Sequence, residues 1–218
     1  MIPNLKEEKK LWKRGFKRIA GIDEAGRGPL AGPVFAAAVI IKPAKLKIKN
    51  SKFKILLREV KDSKKLTPQK REKLYHLLIK NPDIEWGIGE VSEKVIDKIN
   101  IKNAAELAME KAVRKLNEQP DFLIIDGKYL KNKKLKSMTY KLIIKADEKV
   151  FSCSCASIIA KVARDRIMDR YHEKYPRYGF KKHKGYPTRL HFKMLKKHGP
   201  CKIHRKTFWP VKLYYSTY

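Results

Sequence analysis

Three apolar, strand-like runs of the sequence each end in a carboxylate. RIAGID (18–23) ends in Asp23, with Glu24 directly after it; DFLIID (121–126) ends in Asp126, and KLIIKAD (141–147) in Asp147. One such ending means little, because aspartate is a good turn or cap residue, and that role suffices for Asp62 and Asp121. Three endings on neighbouring strands would bring the acids to one rim of a sheet, where the sites of α/β proteins collect. Four carboxylates within a few ångströms repel one another and resist full ionisation unless divalent cations neutralise them. Oxygen ligands without histidine or cysteine point to Mg2+ or Mn2+ rather than zinc. Two such ions about 4 Å apart would activate water and stabilise a leaving oxygen, as in metal-assisted phosphodiester cleavage.

The first acidic pair carries a geometric constraint. Successive side chains of a strand point to opposite faces, so Asp23 and Glu24 cannot both face one site from a regular strand. The strand is therefore expected to end or distort at the pair, just before Ala25-Gly26. Gly26-Arg27-Gly28 then flanks one cation with bare backbone, which permits close approach of a ligand and lets N–H groups hold phosphate or hydroxyl oxygens.

The elements that must position these groups can be read coarsely. Strands are expected at 18–23, 33–41, 84–91, 121–126 and 140–147. Helices are expected at 66–81 (Thr67 as cap, Pro68 in the first turn, Leu74, Leu77 and Leu78 on one face), at 104–117, at 148–174 and from Thr188 to Lys197. Residues 3–16 read as an amphipathic lead-in, and 41–55 as basic and irregular. The pattern predicts an α/β fold, one mixed sheet flanked by helices.

Composition narrows the class. Of 218 residues, 43% are hydrophobic, enough for a core. Lys and Arg number 53 against 22 Asp and Glu, a formal charge of +31. Heat-adapted proteins enrich Glu along with Lys; acids are scarce here, so a polyanionic partner explains the excess better. Cys153, Cys155 and Cys201 are an odd number with no zinc-type spacing, and Cys153-Ser-Cys155, in an apolar run, is expected to hold small buried residues in a reducing compartment. No run approaches the roughly 18 apolar residues of a membrane span, and the N-terminus lacks the apolar core of a secretory signal. A cytoplasmic protein is expected.

The quoted motifs GIDEAGRGPLAGPV (21–34), DSKKLTP (62–68), IIDGK (124–128), KAD (145–147), ASIIAKVARDR (156–166) and HKGYPT (183–188) occur in the order seen in ribonuclease HII, the type 2 ribonucleases H. The chain resembles that family from about Lys17 to Pro210. The resemblance implies a ribonuclease H-like catalytic domain over 17–175, a C-terminal substrate-binding helical region and tail over 176–218, and a lead-in over 1–16. It implies hydrolysis of the RNA strand of RNA–DNA hybrids and incision of duplex DNA 5′ of embedded ribonucleotides, with Mg2+ or Mn2+, by a monomer. By motif, Asp23, Glu24, Asp126 and Asp147 are the metal-binding catalytic acids. Gly26, Arg27 and Gly28 read the ribose 2′-hydroxyl and adjacent phosphates, Tyr186 stacks on the sugar following the ribonucleotide, and Lys64 helps hold the substrate. Ser157 and Lys161 are candidates to support the site.

Without the resemblance, Tyr186 would read as a surface tyrosine beside Pro187, as Tyr175 and Tyr178 do. Asp165, between Arg164 and Arg166, reads as an ion-pair residue. His183, His191, His198 and His204 are expected to contact phosphate or solvent. Two other readings compete. Ribonuclease HIII members usually carry an N-terminal substrate-binding domain and lack the Gly-Arg-Gly loop, whereas the first motif here starts after about 16 residues. A non-catalytic nucleic-acid binder has no reason to gather carboxylates where phosphate must bind.

Overall fold

The computed structural model describes residues 2–42, 51–61 and 63–215. Asp62, most of the basic stretch 41–55 and the last residues of the tail lie outside them. Helix α1 (Lys6–Lys13) leads into β1 (Ile19–Ala25) and β2 (Val34–Ile41). Then follow α2 (Ser51–Glu59), α3 (Pro68–Ile79), β3 (Ile84–Val91), α4 (Glu93–Val113) and β4 (Phe122–Asp126). The chain continues through α5 (Lys133–Lys136), β5 (Tyr140–Ile143), α6 (Ala146–Lys149), α7 (Phe151–Lys174), α8 (Phe180–His183) and α9 (Arg189–His198). The expected irregular stretch thus gives way to helix α2 within 51–55.

The five strands form one mixed sheet in the order β3-β2-β1-β4-β5. β2 runs antiparallel to β1 and β3, while β1, β4 and β5 are parallel. β2 is buried along its whole length, as a continuous apolar run covered on both faces should be. Odd-numbered β1 residues face α7: Gly21 lies so close to Ser152 and Cys153 that a Cβ would collide with them. Ala20 and Ile22 point the other way, into a core shared with Ala104, Ala108 and Ala112 of α4. α7 is nearly all buried over its first ten residues, which is why its sequence shows no amphipathic stripe.

Local chemistry explains the element ends. Thr67 caps α3, accepting from the Lys70 N–H at 3.3 Å, with Pro68 at the first position. Leu74 and Leu78 are fully buried and Leu77 is half-buried. α4 starts eleven residues before the expected 104 (93 against 104) and breaks at Asn100, whose backbone is non-helical (φ 64°, ψ 165°). The Asn100 side chain accepts from the N–H groups of Lys102 and Asn103 at 3.0 and 3.1 Å and so caps the second half. Among the described residues no helix is long and apolar enough to cross a membrane.

Candidate active site

Asp23 sits inside β1, paired opposite Ala37 of β2, and its odd-numbered position aims it at α7. There the Ser157 hydroxyl hydrogen-bonds to it. Asp126 is the last residue of β4. Its carboxylate accepts from the Ala146 N–H at 3.1 Å, tying the strand end to the turn that follows β5.

Asp147 does not end a strand, contrary to the sequence reading. β5 stops at Ile143, Lys145 takes a left-handed conformation (φ 56°), and Asp147 lies in the first turn of α6. The sharp turn swings the acid back over the sheet rim. One carboxylate oxygen from each of Asp23, Asp126 and Asp147 lies within 4.8 Å of the others.

Glu24 is not one of those three, yet its charge acts on Asp23 more strongly than that of Asp126 or Asp147. β1 neither ends nor distorts at the pair: its register with β2 runs on regularly to Ala25 opposite Phe35. Alternation along β1 starts the two side chains on opposite sides of the strand, yet Glu24 lines a cavity together with Ser157 and Lys161 of α7, the helix that Asp23 faces. The parallel pairing with β4 ends at Ile22 opposite Ile125, and the unpaired flank beyond it gives Glu24 its place at the rim. Its carboxylate pairs with Arg27 at 3.1 Å.

Burial, followed by the charges of Glu24, Asp126 and Asp147, pushes the Asp23 carboxyl well above its ordinary value; the Ser157 hydrogen bond works against this. Burial also raises Glu24, with Arg27 opposing. Lys64 supplies compensating charge beside the cluster, 3.6 Å from Asp147. It stands on the turn Ser63–Lys65, which is held by Arg71 donating to the Ser63 carbonyl at 2.8 Å and by the Ser63–Ser157 hydroxyl contact at 2.9 Å.

The loop after β1 is clamped from behind by two fully buried arginines. Arg205 donates to the carbonyls of Gly26, Arg27, Gly32 and Pro33 at 2.7, 3.0, 3.0 and 3.3 Å. Arg164 donates to Pro33, Ala31 and Lys184 at 3.0, 3.2 and 3.0 Å. In a planar trans peptide the C=O of one residue and the N–H of the next point in opposite directions. Turning the carbonyls of Gly26 and Arg27 inward therefore turns the N–H groups of Arg27 and Gly28 outward, to the cleft. Gly26 has φ +103°, and a Cβ on it would collide with the Arg164 side chain, so only glycine fits.

Tyr186 closes the other side. It is half-exposed, its ring lying 5.5 Å from the Lys161 ammonium and 5.6 Å from the Arg164 guanidinium. The neighbouring Gly185 carbonyl accepts from the Leu30 N–H at 2.8 Å, which fixes the Tyr186 loop to the Gly-Arg-Gly loop. A cavity of about 240 Å3 between them is lined by Glu24, Gly26, Arg27, Gly28, Lys64 and Tyr186, with Ser63, Ser157 and Lys161 beneath.

Other expectations fare differently. Asp165 is an ion-pair residue, but its partners are Lys161 (2.6 Å) and Arg71 (3.7 Å) rather than its chain neighbours. Cys153 and Cys155 are buried and unpaired. His183, His191 and His204 are buried, not exposed to phosphate or solvent, and Tyr178 is a core residue stacked on Phe180. His183 stacks on His191 at 4.4 Å, which explains their burial in so basic a segment. Arg205, Arg71 and Ser63 escaped the sequence reading altogether. Arg205 lies in CKIHRK, where nothing local separates a buried cation from a solvated one.

The sequence model of the family described as ribonuclease HII matches residues 20–211. Ribonuclease HII of Caldicellulosiruptor bescii is 48% identical over 201 residues, 92% of this chain and 91% of that protein. The crystal structure of ribonuclease H2 from Pyrococcus horikoshii OT3 superposes with a TM-score of 0.73 at 30% identity, covering 90% of this chain and 96% of that one. Bst-RNase HIII in complex with Mn2+ shares the fold at 17% identity and a TM-score of 0.66, over 91% of this chain and 69% of that one. With an acid cluster and a clamped glycine loop on a mixed sheet of this order, and with these likenesses over nearly its whole length, the chain belongs to the ribonuclease HII family of ribonuclease H endonucleases.

Proposed function

We propose that the chain cuts the RNA strand of RNA–DNA hybrids and incises duplex DNA on the 5′ side of embedded ribonucleotides, leaving a 3′-hydroxyl and a 5′-phosphate. The reading rests on three carboxylates gathered at the rim of the sheet, at the end of the strand that leads into a glycine loop whose Gly26 and Arg27 carbonyls are held by Arg205. A binder has no use for the first, and a phosphatase of small esters has no use for a long basic approach.

The donor set fits Mg2+ or Mn2+: oxygens only, closely spaced, and with Asp23 too crowded by burial and like charge to ionise easily alone. Asp23, Asp126 and Asp147 would hold the ions, with Glu24 completing the set on the Arg27 side. Such ions, when bound, supply the charge that lets the acids ionise together, activates water and stabilises the leaving oxygen. The chain's own residues do the rest. The N–H groups of Arg27 and Gly28 meet phosphate and the 2′-hydroxyl, which is the group that tells RNA from DNA. Tyr186 stacks on the next sugar, and Lys64 and Lys161 neutralise phosphate beside the acids. The region 176–218 acts as the substrate-binding part, and the enzyme works as a cytoplasmic monomer.

Ribonuclease HIII is disfavoured by the Gly-Arg-Gly loop itself. The test is cleavage of all-DNA, single-ribonucleotide and RNA–DNA hybrid duplexes with Mg2+, Mn2+ or chelator. Metal-dependent cutting of the last two substrates only is expected; cutting of all-DNA duplex, or none at all, would sink the reading.

A further inference from the structure

A second cavity, of about 420 Å3, opens on the α4 side of the sheet and is bordered by Arg27 and Asp126. Arg27 lines both cavities, so it forms the wall between them. The floor of the second is apolar, from Ala105, Met109 and Leu130. Its rim carries Lys102, Lys128 and Lys131 together with Tyr129, whose ring is 83% exposed. The lining also contains Glu106, whose carboxylate is taken up by the N–H groups of Lys131 and Asn132 at 2.9 and 2.6 Å. That contact fixes the loop that presents Lys128 and Lys131, while Lys102 stands on α4. An apolar floor, a free aromatic face and a cationic rim suit a nucleotide: sugar and base below, phosphate at the lysines.

Polarity follows from Tyr186. It stands on the far side of Arg27 from this cavity, and in the function proposed above it takes the sugar 3′ of the ribonucleotide. A strand running from Tyr186 past the acids and over Arg27 enters the second cavity with its 5′ portion. We infer that this cavity is a subsite for the nucleotides immediately 5′ of the ribonucleotide, the strand that leaves with the new 3′-hydroxyl. The inference rests on the proposed function for its direction.

The test uses single-ribonucleotide duplexes with a full 5′ flank or with that flank cut back to a dinucleotide, the complementary strand kept whole. For the unaltered protein, cutting back the flank should raise KM roughly ten-fold, the scale of lost stacking and phosphate contact. In Lys102→Ala/Lys128→Ala/Lys131→Ala the two substrates should converge. Tyr129→Ala should lose most of the difference and Tyr129→Phe should restore it. Removing the same charge elsewhere, by Lys9→Ala/Lys13→Ala/Lys17→Ala, should leave the flank dependence intact. An equal loss on both substrates in the first triple variant, or dependence on the 3′ flank instead, overturns the subsite. If the unaltered protein cleaves neither duplex, the proposed function fails; flank-dependent binding, read by fluorescence anisotropy in chelator, still decides whether the cavity holds nucleic acid.

Discussion

The Arg205 guanidinium donates at 2.7 Å to the carbonyl of Gly26, 179 residues earlier in the chain. Burial, followed by the charge of Arg164, pulls Arg205 down to about 9, which still leaves it protonated at neutral pH. Its donors meet four carbonyls in a fixed fan that a lysine cannot reproduce. Arg205→Lys and Arg205→Met should each destabilise the protein by at least about 3 kcal/mol, since several buried carbonyls lose their donor. If the clamp also aims the loop, both variants should raise KM for single-ribonucleotide duplex well below their melting temperature. Unchanged KM alongside lowered stability would leave Arg205 a purely structural residue.

Asp126 sets activity against stability. It adds negative charge to a cluster that already holds Asp23 far from its ordinary ionisation. Asp126→Asn keeps an oxygen that can accept from Ala146 N–H while removing that repulsion. In chelator the variant should melt about 2–4 °C higher, as about 1 kcal/mol does for a chain of this size. It should also lose the stabilisation that Mg2+ or Mn2+ gives the unaltered protein, and its cleavage should fall by orders of magnitude. Wild-type cleavage would remove Asp126 from the metal site.

How far the sequence reached can be judged from these same residues. The mixed sheet was legible because β2 and β3 carry strong strand patterns, and α3 because Thr67 and Pro68 mark its start. The acids were legible because carboxylates after apolar runs are rare together. What failed was the backbone between them: strand alternation wrongly implied that β1 must end or distort at Asp23-Glu24, whereas its register runs on to Ala25. The left-handed turn at Lys145, which brings Asp147 to the cluster, depends on tertiary contact with the end of β4. Arg205 shows the larger limit, since its burial is decided by carbonyls more than 170 residues away in the chain; the histidines are buried by one another and by near neighbours in a segment whose basic composition hides it.

Two histidines behind Tyr186, His191 and His204, make the C-terminal region acid-sensitive. His191 Nδ1 donates to the Tyr186 carbonyl at 2.9 Å, leaving its Nε2 to accept from His204 Nε2 at 3.0 Å; His204 Nδ1 accepts from the Cys201 N–H at 2.9 Å. Each ring thus serves as donor and acceptor only while neutral. Burial lowers His191 to about 4 and His204 to about 3, against 6.5 when unfolded. Their contribution is therefore complete above pH 6.5 and lost as pH falls towards 4 and then 3, by about 1.4 kcal/mol per pH unit for each histidine. Urea midpoints between pH 6.5 and 4 should fall more steeply for the unaltered protein than for His204→Gln. Parallel slopes would show that the pair does not titrate in this window.

Tyr186 separates recognition from folding. Its ring is 37% exposed, so Tyr186→Ala should cost less than about 1 kcal/mol of stability. Stacking on a nucleotide is worth about 1–3 kcal/mol, so cleavage at a single embedded ribonucleotide should fall between about five-fold and a hundred-fold. Tyr186→Phe keeps the ring over Lys161 and Arg164 and should keep most of the activity. Long RNA–DNA hybrid offers many registers and should be less affected than the single-ribonucleotide duplex. The decisive comparison is the ratio of kcat/KM on the two substrates: a ratio unchanged by Tyr186→Ala would mean that Tyr186 does not read the junction.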